Sequence, residues 1–514
     1  MRKVVGGIIV VLGLAAAYTG LSAWLGQQAE QQYKEALIEG SKNPNAKLST
    51  IRYDRGLFSS QAVTRVQLDI PEASAAGLPD MSFAIRQDIY HGPLPLAGWG
   101  VSGVPMGLTG SVVRLTLDPE SSTWTRELAT LYGGQQPVEA ISQIGFDGAS
   151  NTRISMPPLM LNKVAELENL KFAGLQGQFQ LAPRGATVQG ELRVPSLEVV
   201  GQSAAAAGQP AGGEVQASLR DIVVTTHQRK GSFDLMFGDA SFKIGELRVN
   251  EPSTKTPVVF TDLVMDTNAT LHPQNPRQVN VDALFKAGNF TVEPWSGAGS
   301  LRLAFHNLDG ATVAKLQQWQ ERAAANPDDV QALDELVKLM KSLLAGKPEL
   351  VLDTQSKLAQ GDWQGKLVLS FQDFGQVDLL QNPEGLLKAL EKGSAEMAVS
   401  KTLAETVLTN MVKEEIQGFA GDKDAQADPN AMRDMARQQV AEQLQGVVAA
   451  GFMRLEGDQY KSKAHFENGK LFVNDKEIPL GALMGGGSGA MDGQMPLEPD
   501  SGLEPDAAPE IPQR

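Results

Sequence analysis

An uncharged N-terminal stretch constrains this chain more than any other feature of its sequence. Arg2 and Lys3 are followed by no charged residue until Glu30, and residues 4–25 are almost entirely apolar or small. As a helix, that stretch would reach roughly 33 Å, about the thickness of a bilayer core. The two preceding cations favour a cytoplasmic N-terminus with the rest of the chain outside. The residues expected to span the membrane include Val4, Ile8, Leu12, Trp24 and Leu25.

A cleaved signal peptide is the alternative interpretation of this stretch. Cleavage requires small residues one and three places before the cut, and Ala15 and Ala17 offer that pattern. A cut there leaves the apolar residues 18–25 stranded at the new N-terminus, whereas Tyr18 and Trp24 suit positions near a membrane interface. The residues favour a retained anchor, and cleavage stays open.

Composition restricts the classes of function that remain. The chain has 514 residues and no cysteine, which excludes disulfides, thiolate catalysis and zinc–sulfur sites. Its formal net charge is −15, whereas nucleic-acid binding calls for basic stripes, so we expect no nucleic-acid partner. The length allows two or three domains with ample hydrophobic core.

Most of the chain after residue 40 follows the two-residue period of β-strands. Alternation such as Val113, Leu115 and Leu117 predicts half-buried strands, and residues 179–305 are nearly all of this kind. A short helix is predicted around residues 160–170, and residues 201–213 are predicted to form a Gly/Ala-rich linker. Many of the strands have one apolar and one polar face, so we expect a large antiparallel sheet whose apolar face must be covered.

Helices enter in the C-terminal half. Asn326-Pro327-Asp328-Asp329 is a helix N-terminal capping sequence, and residues 401–419 and 432–448 have the spacing of amphipathic helices. Asn468-Gly469 between two alternating runs predicts a hairpin. The expected class is α+β, mostly β. The predicted regions are 1–40 (anchor and helical extension), 41–310 (β-rich), 311–480 (mixed) and 481–514 (disordered acidic tail).

No constellation of residues nominates a reaction. The five histidines are widely separated, and no nucleophile elbow or phosphate-binding loop is present. The segment 422–426 begins like a calcium loop but lacks the glycine and glutamate that such a loop requires. We therefore assign no catalytic, cofactor-binding or metal-ligating residue, expect no cofactor, and predict a protein that is not an enzyme.

Two clusters are more specific than the strands around them. The segment 53–60 places a glycine between charged residues and an aromatic, and the segment 88–95 ends a strand with two prolines, which bar further ladder pairing. One interpretation is a bulged hairpin followed by a rigid strand exit; the other is a surface that docks a partner. The candidate docking residues are Tyr53, Arg55, Gly56, Phe58, His91, Pro93 and Pro95.

With the N-terminal stretch, these two clusters resemble the YdgA/YihF-like family of Gram-negative envelope proteins, a domain of unknown function. Trp363-Gln364-Gly365 and the segment 466–474 are similar to its later part, so the resemblance covers residues 1–480. Where such closing segments often read Asn-Gly, this chain has Asn474-Asp475. The resemblance implies a single-pass inner-membrane anchor with a periplasmic body, and it implies no catalytic residues.

Three hypotheses of function follow. The first is a non-enzymatic envelope protein that binds lipid or another apolar ligand along a sheet face, an analogy at the level of the fold to AsmA-like proteins. The second is a scaffold that docks an envelope protein or a second copy of itself. The third, a hydrolase of envelope polymers, has no substrate that the residues suggest.

Overall fold

In the computed structural model, strands of the whole chain join one antiparallel sheet. The structure describes residues 2–41, 46–68, 82–164, 167–202, 213–252, 254, 256–325, 330–372, 389–420 and 429–479. Within these residues, every strand pairing is antiparallel and all strands belong to the same sheet. The prediction of a mostly β, α+β protein with a large antiparallel sheet is confirmed.

The first half of the sheet consists of short strands followed by long ones. Its strands are β1 (Ala46–Arg55), β2 (Ser59–Leu68), β3 (Ser82–His91), β4 (Ser111–Leu117), β5 (Glu139–Ile144), β6 (Ser150–Met156), β7 (Leu159–Val164), β8 (Leu167–Phe172), β9 (Leu175–Leu181), β10 (Thr187–Gln202), β11 (Glu214–Lys230) and β12 (Met236–Asn250). The neighbours run β1 to β6 in order, then β9, β10, β11 and β12, while β8 shares the edge of β10 with β9 and β7 pairs with β8.

The second half continues the same sheet without a break. Its strands are β13 (Val258–His272), β14 (Asn275–Val292), β15 (Trp295–Asp309), β16 (Glu349–Leu358), β17 (Gly361–Phe371), β18 (Leu390–Ser400), β19 (Arg454–Glu456), β20 (Gln459–Glu467), β21 (Lys470–Val473) and β22 (Lys476–Ile478). β15 and β16 pair over ten residues across residue 310, so the sheet connects the predicted regions 41–310 and 311–480.

The helices lie at the start of the chain and in its second half, with one short exception. They are α1 (Arg2–Gly40), α2 (Thr123–Leu131), α3 (Gly310–Ala325), α4 (Val330–Ala345), α5 (Lys401–Ala420) and α6 (Pro429–Ala449). The predicted helices 401–419 and 432–448 correspond to α5 and α6 and are confirmed. Among the described residues, no helix combines the length and the apolar character that crossing a membrane demands.

The helix predicted around residues 160–170 is wrong. The structure has a hairpin of β7 and β8 there, and Leu170 of β8 pairs directly with Val199 of β10. Leucines at 159, 161 and 170 fit both a helical face and alternating strands over so short a stretch. Pairing with the long strand β10 favours a strand over a helix here, because β10 supplies hydrogen-bond partners for the backbone N–H and C=O groups of β8.

The predicted hairpin at Asn468-Gly469 is confirmed. These two residues have φ of 53° and 74° and join β20 to β21. Both values lie in the left-handed region that a two-residue turn of this kind needs, and asparagine and glycine adopt it most easily.

Several predictions lie outside the described residues. They concern most of the linker 201–213, the capping sequence 326–329, the loop 422–426 and the tail 481–514. The side chains of Val4, Ile8 and Leu12 also lie outside them, although the backbone there is part of α1. Of the remaining predicted spanning residues, Trp24 is exposed and Leu25 is buried.

Candidate functional site

A row of large apolar side chains crosses four neighbouring strands and is left open to solvent. Phe242 of β12 pairs with Met265 of β13, Met265 with Phe285 of β14, and Phe285 with Leu301 of β15. Residues directly opposite in antiparallel strands project from the same face of the sheet. These four side chains are 41%, 41%, 39% and 37% exposed, respectively. Large apolar side chains lined up in this way form a surface that a soluble monomer normally covers.

This row is the floor of an apolar groove of about 780 Å³. The rings of Phe260 and Phe290 stack beside it with centroids 6.0 Å apart. Trp295 and Trp363 line the same groove, and the Trp363 indole N–H donates to Thr354 Oγ1 at 2.6 Å. That hydrogen bond satisfies the polar atom of the indole, so the ring adds to the apolar lining.

The apolar row extends well beyond the groove, towards the N-terminal strands. Directly paired residues continue it from Phe242 through six further strands: Val224, Leu192, Gly177, Ile154, Ala140 and Leu115. Nine strand steps separate Leu115 from Leu301, which corresponds to roughly 43 Å along the sheet at the usual spacing. The groove is therefore one end of a longer apolar track.

Aspartates with left-handed backbone lie opposite glycines in a line across the long strands, which we call the left-handed line. Asp221 and Asp262 have φ of 52° and 50°, in the left-handed region, and lie opposite glycines in the neighbouring strands. A Cβ on Gly245 would lie 2.9 Å from the Cβ of Asp221, and one on Gly288 would lie 2.7 Å from that of Asp262. Each glycine therefore makes room for the aspartate beside it.

The left-handed line coincides with a change in the alternation of side chains between the two faces. Phe260 and Leu263 are three residues apart in β13, so in a regular strand they would project from opposite faces. Both line the groove, and Asp262, with its left-handed φ, lies between them. Apolar residues on either side of the left-handed line thus contribute to the groove.

Two pairs of helices cover the sheet at either side of the groove. α3 and α4 pack on a core of Leu235, Phe237, Val279 and Leu308. α5 and α6 pack on Val399 and Tyr460 through α5's Leu403 and α6's Val440, and Trp295, Leu358 and Trp363 touch this core and the groove alike. The open row lies between the two helix pairs.

The opposite face of the sheet is polar. Arg302 of β15 donates from Nε to Asp282 Oδ1 at 3.1 Å, and Lys463 of β20 pairs with Glu396 of β18 at 3.1 Å. The Ser241 hydroxyl donates to Asp266 across β12 and β13. Exposed pairs of this kind contribute little to stability. They do keep that face hydrated, so the two faces of this single layer differ in chemistry.

The predicted docking residues lie together at one end of the sheet, where they hold the chain's own helix α1. The Tyr18 ring stacks on Phe58 with centroids 5.7 Å apart, and the Tyr33 ring lies 5.1 Å from that of Tyr53. The Tyr33 hydroxyl also lies 2.9 Å from Thr64 Oγ1. We refer to this contact region of β1, β2 and β3 as the helix seat.

His91 is the buried centre of the helix seat. Its Nδ1 lies 3.0 Å from the carbonyl oxygen of Ser22, and its Nε2 lies 3.1 Å from Ser60 Oγ. Because a carbonyl only accepts, Nδ1 carries the proton and donates, and Nε2 accepts from the Ser60 hydroxyl. Burial lowers the pKa of His91, so the ring is neutral. A Cβ on Gly26 would lie 2.6 Å from the ring, so only glycine fits there without a shift.

The remaining predicted docking residues support the same seat. Arg55 pairs with Glu30 of α1 at 3.1 Å, and Glu30 also accepts from Lys34, a hydrogen bond that lowers the pKa of this carboxyl. The Gly56 N–H donates to the Ser59 carbonyl at 2.9 Å, which closes the turn between β1 and β2. Pro95 is buried, and the Pro93 carbonyl accepts from the Thr109 N–H at 3.3 Å.

Sequence reasoning missed the α1 side of this seat and the members of the open row. Tyr18, Ser22, Gly26 and Tyr33 follow no motif, and their partners lie far away in the sequence. The open row could have been suspected from its large apolar residues in alternating strands. Among the described residues, no group of three His, Cys, Asp or Glu side chains is arranged to hold a metal ion.

Comparison with known proteins places the chain in a family. The family model described as a bacterial protein of unknown function (DUF945) matches residues 1–481. Protein YdgA of Escherichia coli K12 is similar at 21% identity over 94% of this chain and 96% of its own length. The uncharacterized protein YihF of the same organism is 25% identical over 37% of this chain and 38% of its own length. The expected resemblance is thus confirmed, and the chain belongs to the DUF945 family of bacterial proteins.

Proposed function

We propose that this protein is a non-enzymatic envelope protein whose apolar sheet face binds lipid acyl chains. In this proposal the apolar N-terminal part of α1 anchors it in the inner membrane, and the sheet lies in the periplasm. The uncharged residues 4–25 and the cations before them support the anchor and its direction. The acidic balance of the chain argues against electrostatic attraction of the body to anionic headgroups, so contact of the body with the membrane would have to be apolar.

The open row of Phe242, Met265, Phe285 and Leu301 is the observation that carries the proposal. Covering apolar area releases about 25 cal/mol per Å², so leaving this row exposed is costly unless a ligand covers it for part of the time. The groove volume of about 780 Å³ is within the range of small-molecule sites. Most of its lining is apolar or aromatic, which fits an alkyl chain rather than a charged metabolite.

The track from Leu115 to Leu301 supports a lipid over other apolar ligands. Leu115 belongs to β4, which pairs with β3, and β3 carries His91 of the helix seat. The track therefore begins next to the helix proposed as the membrane anchor. A long, narrow and continuous apolar surface suits a flexible chain that can slide along it.

The test compares two neighbouring residues that project from opposite faces of β14. Phe285 belongs to the open row, whereas Leu284 pairs with Asp266 and Arg302 on the polar face. We expect full-length protein extracted from membranes to carry phospholipid in native mass spectrometry. Phe285→Gln should lose most of it, because an amide in the floor leaves polar atoms unsatisfied against an alkyl chain. Leu284→Gln should retain it.

Two outcomes would contradict the proposal: wild-type protein free of phospholipid, or equal loading of both variants. The alternative function is a scaffold in which a protein or a second copy of the chain covers the row. It predicts a stoichiometric complex that Phe285→Gln dissociates, with no phospholipid in the wild type.

A further inference from the structure

The connection between β3 and β4 is the most exposed apolar segment that the structure describes. No charged residue occurs between His91 and Arg114. Within this segment Trp99 and Leu108 are 76% and 78% exposed, and Leu94, Leu96 and Met106 are exposed as well. Isolated apolar side chains on a surface are ordinary, but five in one uncharged connection are not. We call residues 92–110 the apolar loop.

The apolar loop has a fixed conformation that presents these side chains outward. The N–H groups of Gly98 and Trp99 donate to the carbonyls of Pro95 and Leu96 at 2.9 and 3.1 Å. The Thr109 hydroxyl donates to the Ile144 carbonyl at 2.6 Å, which ties the end of the loop to β5. The backbone is thus held by its own hydrogen bonds, while Trp99 and Leu108 remain uncovered.

The apolar loop lies directly beside α1. The Tyr18 hydroxyl donates to the Leu94 carbonyl at 2.6 Å, and a Cβ on Gly92 would lie 2.7 Å from Ser22 Oγ. The turn between β1 and β2 is at the same end of the sheet and carries the exposed Leu57; the turn between β5 and β6 carries the exposed Phe146. The exposed apolar side chains of three connections therefore lie at the same end of the sheet, where the apolar loop contacts α1.

The position of Tyr18 in the apolar stretch sets the depth of the apolar loop relative to the membrane. Tyr18 precedes Leu25, the last residue of that stretch, by seven residues, which is roughly 10 Å along a helix. A loop bonded to Tyr18 therefore lies roughly 10 Å inside the outer end of the span, at the depth that interfacial segments reach. Tryptophan is enriched at this level of membranes.

We propose that the apolar loop inserts into the periplasmic leaflet beside α1, so that the body is seated on the membrane and not tethered above it. This inference rests on the anchor in the proposed function. Insertion of Trp99, Met106 and Leu108 removes their exposed apolar area from water, while the absence of charge in residues 92–110 avoids the cost of burying ions. It also brings the loop end of β4, the strand in which the apolar track begins at Leu115, close to the membrane.

The absence of cysteine allows a direct test with single-cysteine variants of the full chain. An environment-sensitive fluorophore is attached at Leu108→Cys in the loop, at Leu21→Cys in α1, or at Met435→Cys in α6. All three positions are exposed, so labelling does not disturb the core. Each protein is reconstituted in vesicles of phosphatidylethanolamine and phosphatidylglycerol, and quenching by aqueous iodide and by spin-labelled lipid is measured.

Insertion predicts that spin-labelled lipid quenches the fluorophores at positions 108 and 21. Aqueous iodide should quench these two fluorophores severalfold less than it quenches the fluorophore at position 435. If position 21 is shielded but position 108 is as accessible to iodide as position 435, the loop inference is wrong and the anchor stands. If positions 21 and 108 are both accessible, the anchor fails and the loop inference fails with it.

Discussion

His91 joins three parts of the molecule through two hydrogen bonds. Its ring links the Ser22 carbonyl of α1 to the Ser60 hydroxyl of β2, and the residue itself ends β3. A second proton would leave the Nδ1 bond in place and would turn the Nε2 bond round, with Ser60 Oγ as the acceptor. The cost of charging the seated ring therefore comes from its burial, which lowers the pKa of His91. The attachment of α1 to the sheet therefore depends on the protonation state of one side chain.

The helix seat is predicted to weaken as the pH falls. Burial lowers the pKa of His91 below its ordinary value of 6.5. The detached ring then binds a proton more readily than the seated ring, so the stabilisation is complete above about pH 6.5 and is lost as the pH falls towards the lowered pKa. Hydrogen exchange of residues 18–34 should be faster at about pH 5 than at about pH 7.5, after correction for intrinsic rates.

His91→Gln should remove this pH dependence, whereas His227→Gln, at an exposed position, should leave it intact. Equal protection of residues 18–34 at the two pH values in the wild type would contradict the account.

Gly26 tests the close approach of α1 to the same ring. Gly26→Ala places a methyl group within 2.6 Å of the His91 ring, so the helix or the ring must shift. We expect a loss of about 1–3 kcal/mol in the free energy of unfolding, as is typical of overpacking. Gly20→Ala is the control, because nothing lies within 4 Å of its Cβ. Thermal unfolding in detergent measures both variants; an equal effect would contradict the close contact.

The sequence identified the residues of the helix seat as distinctive but not what they contact. The segments 53–60 and 88–95 were marked by glycine, aromatic and proline residues, and all of them lie at the seat. Their partner was missed because Ser22 is 69 residues from His91, and a periodic pattern reports only local geometry.

At the level of elements, the long strands of the sheet run through the left-handed line. The sequence predicts nearly continuous strand over residues 179–305 but not where each strand ends, and β11 and β12 extend through Asp221 and Gly245 to 17 and 15 residues. The existence of the strands and their antiparallel pairing could be predicted from the alternation of apolar and polar residues. Their length could not, since the aspartates and glycines of the left-handed line disfavour strands in isolation and interrupt the apolar alternation.

Asp262 is predicted to need its left-handed conformation. Asp262→Val should lower the free energy of unfolding by about 1–2 kcal/mol, because a β-branched residue strongly disfavours φ of 50°. Asn268→Val, at an exposed position of the same strand with no such φ, should be neutral or stabilising. Chemical denaturation of the two variants makes the comparison. A harmless Asp262→Val would show that the left-handed conformation at this position is not required.

At the scale of the whole molecule, the sheet is a single layer that helices cover only in part. The cores under α3–α4 and α5–α6 explain how the far strands are held, and the helix seat holds α1 against the first strands. The sequence predicts that the apolar face must be covered. It does not reveal which strands each amphipathic helix meets, because a hydrophobic stripe specifies a buried side but not its partner.

This arrangement unites the two proposals. The apolar loop would hold the first strands at the membrane interface. The track from Leu115 would then lead alkyl chains to the groove whose floor includes Phe285. The polar face of the same layer would remain in water throughout. The central claim is that the apolar face, and not the sheet as a whole, contacts lipid.

A photoreactive amino acid placed at position 285 or 284 in living cells tests this claim most directly. The two positions share a strand, a level in the sheet and a similar distance from the membrane, and they differ in the face from which they project. We predict phospholipid adducts, identified by mass, at position 285 and none at position 284. Equal adducts at both positions, or protein adducts alone at position 285, would contradict the account.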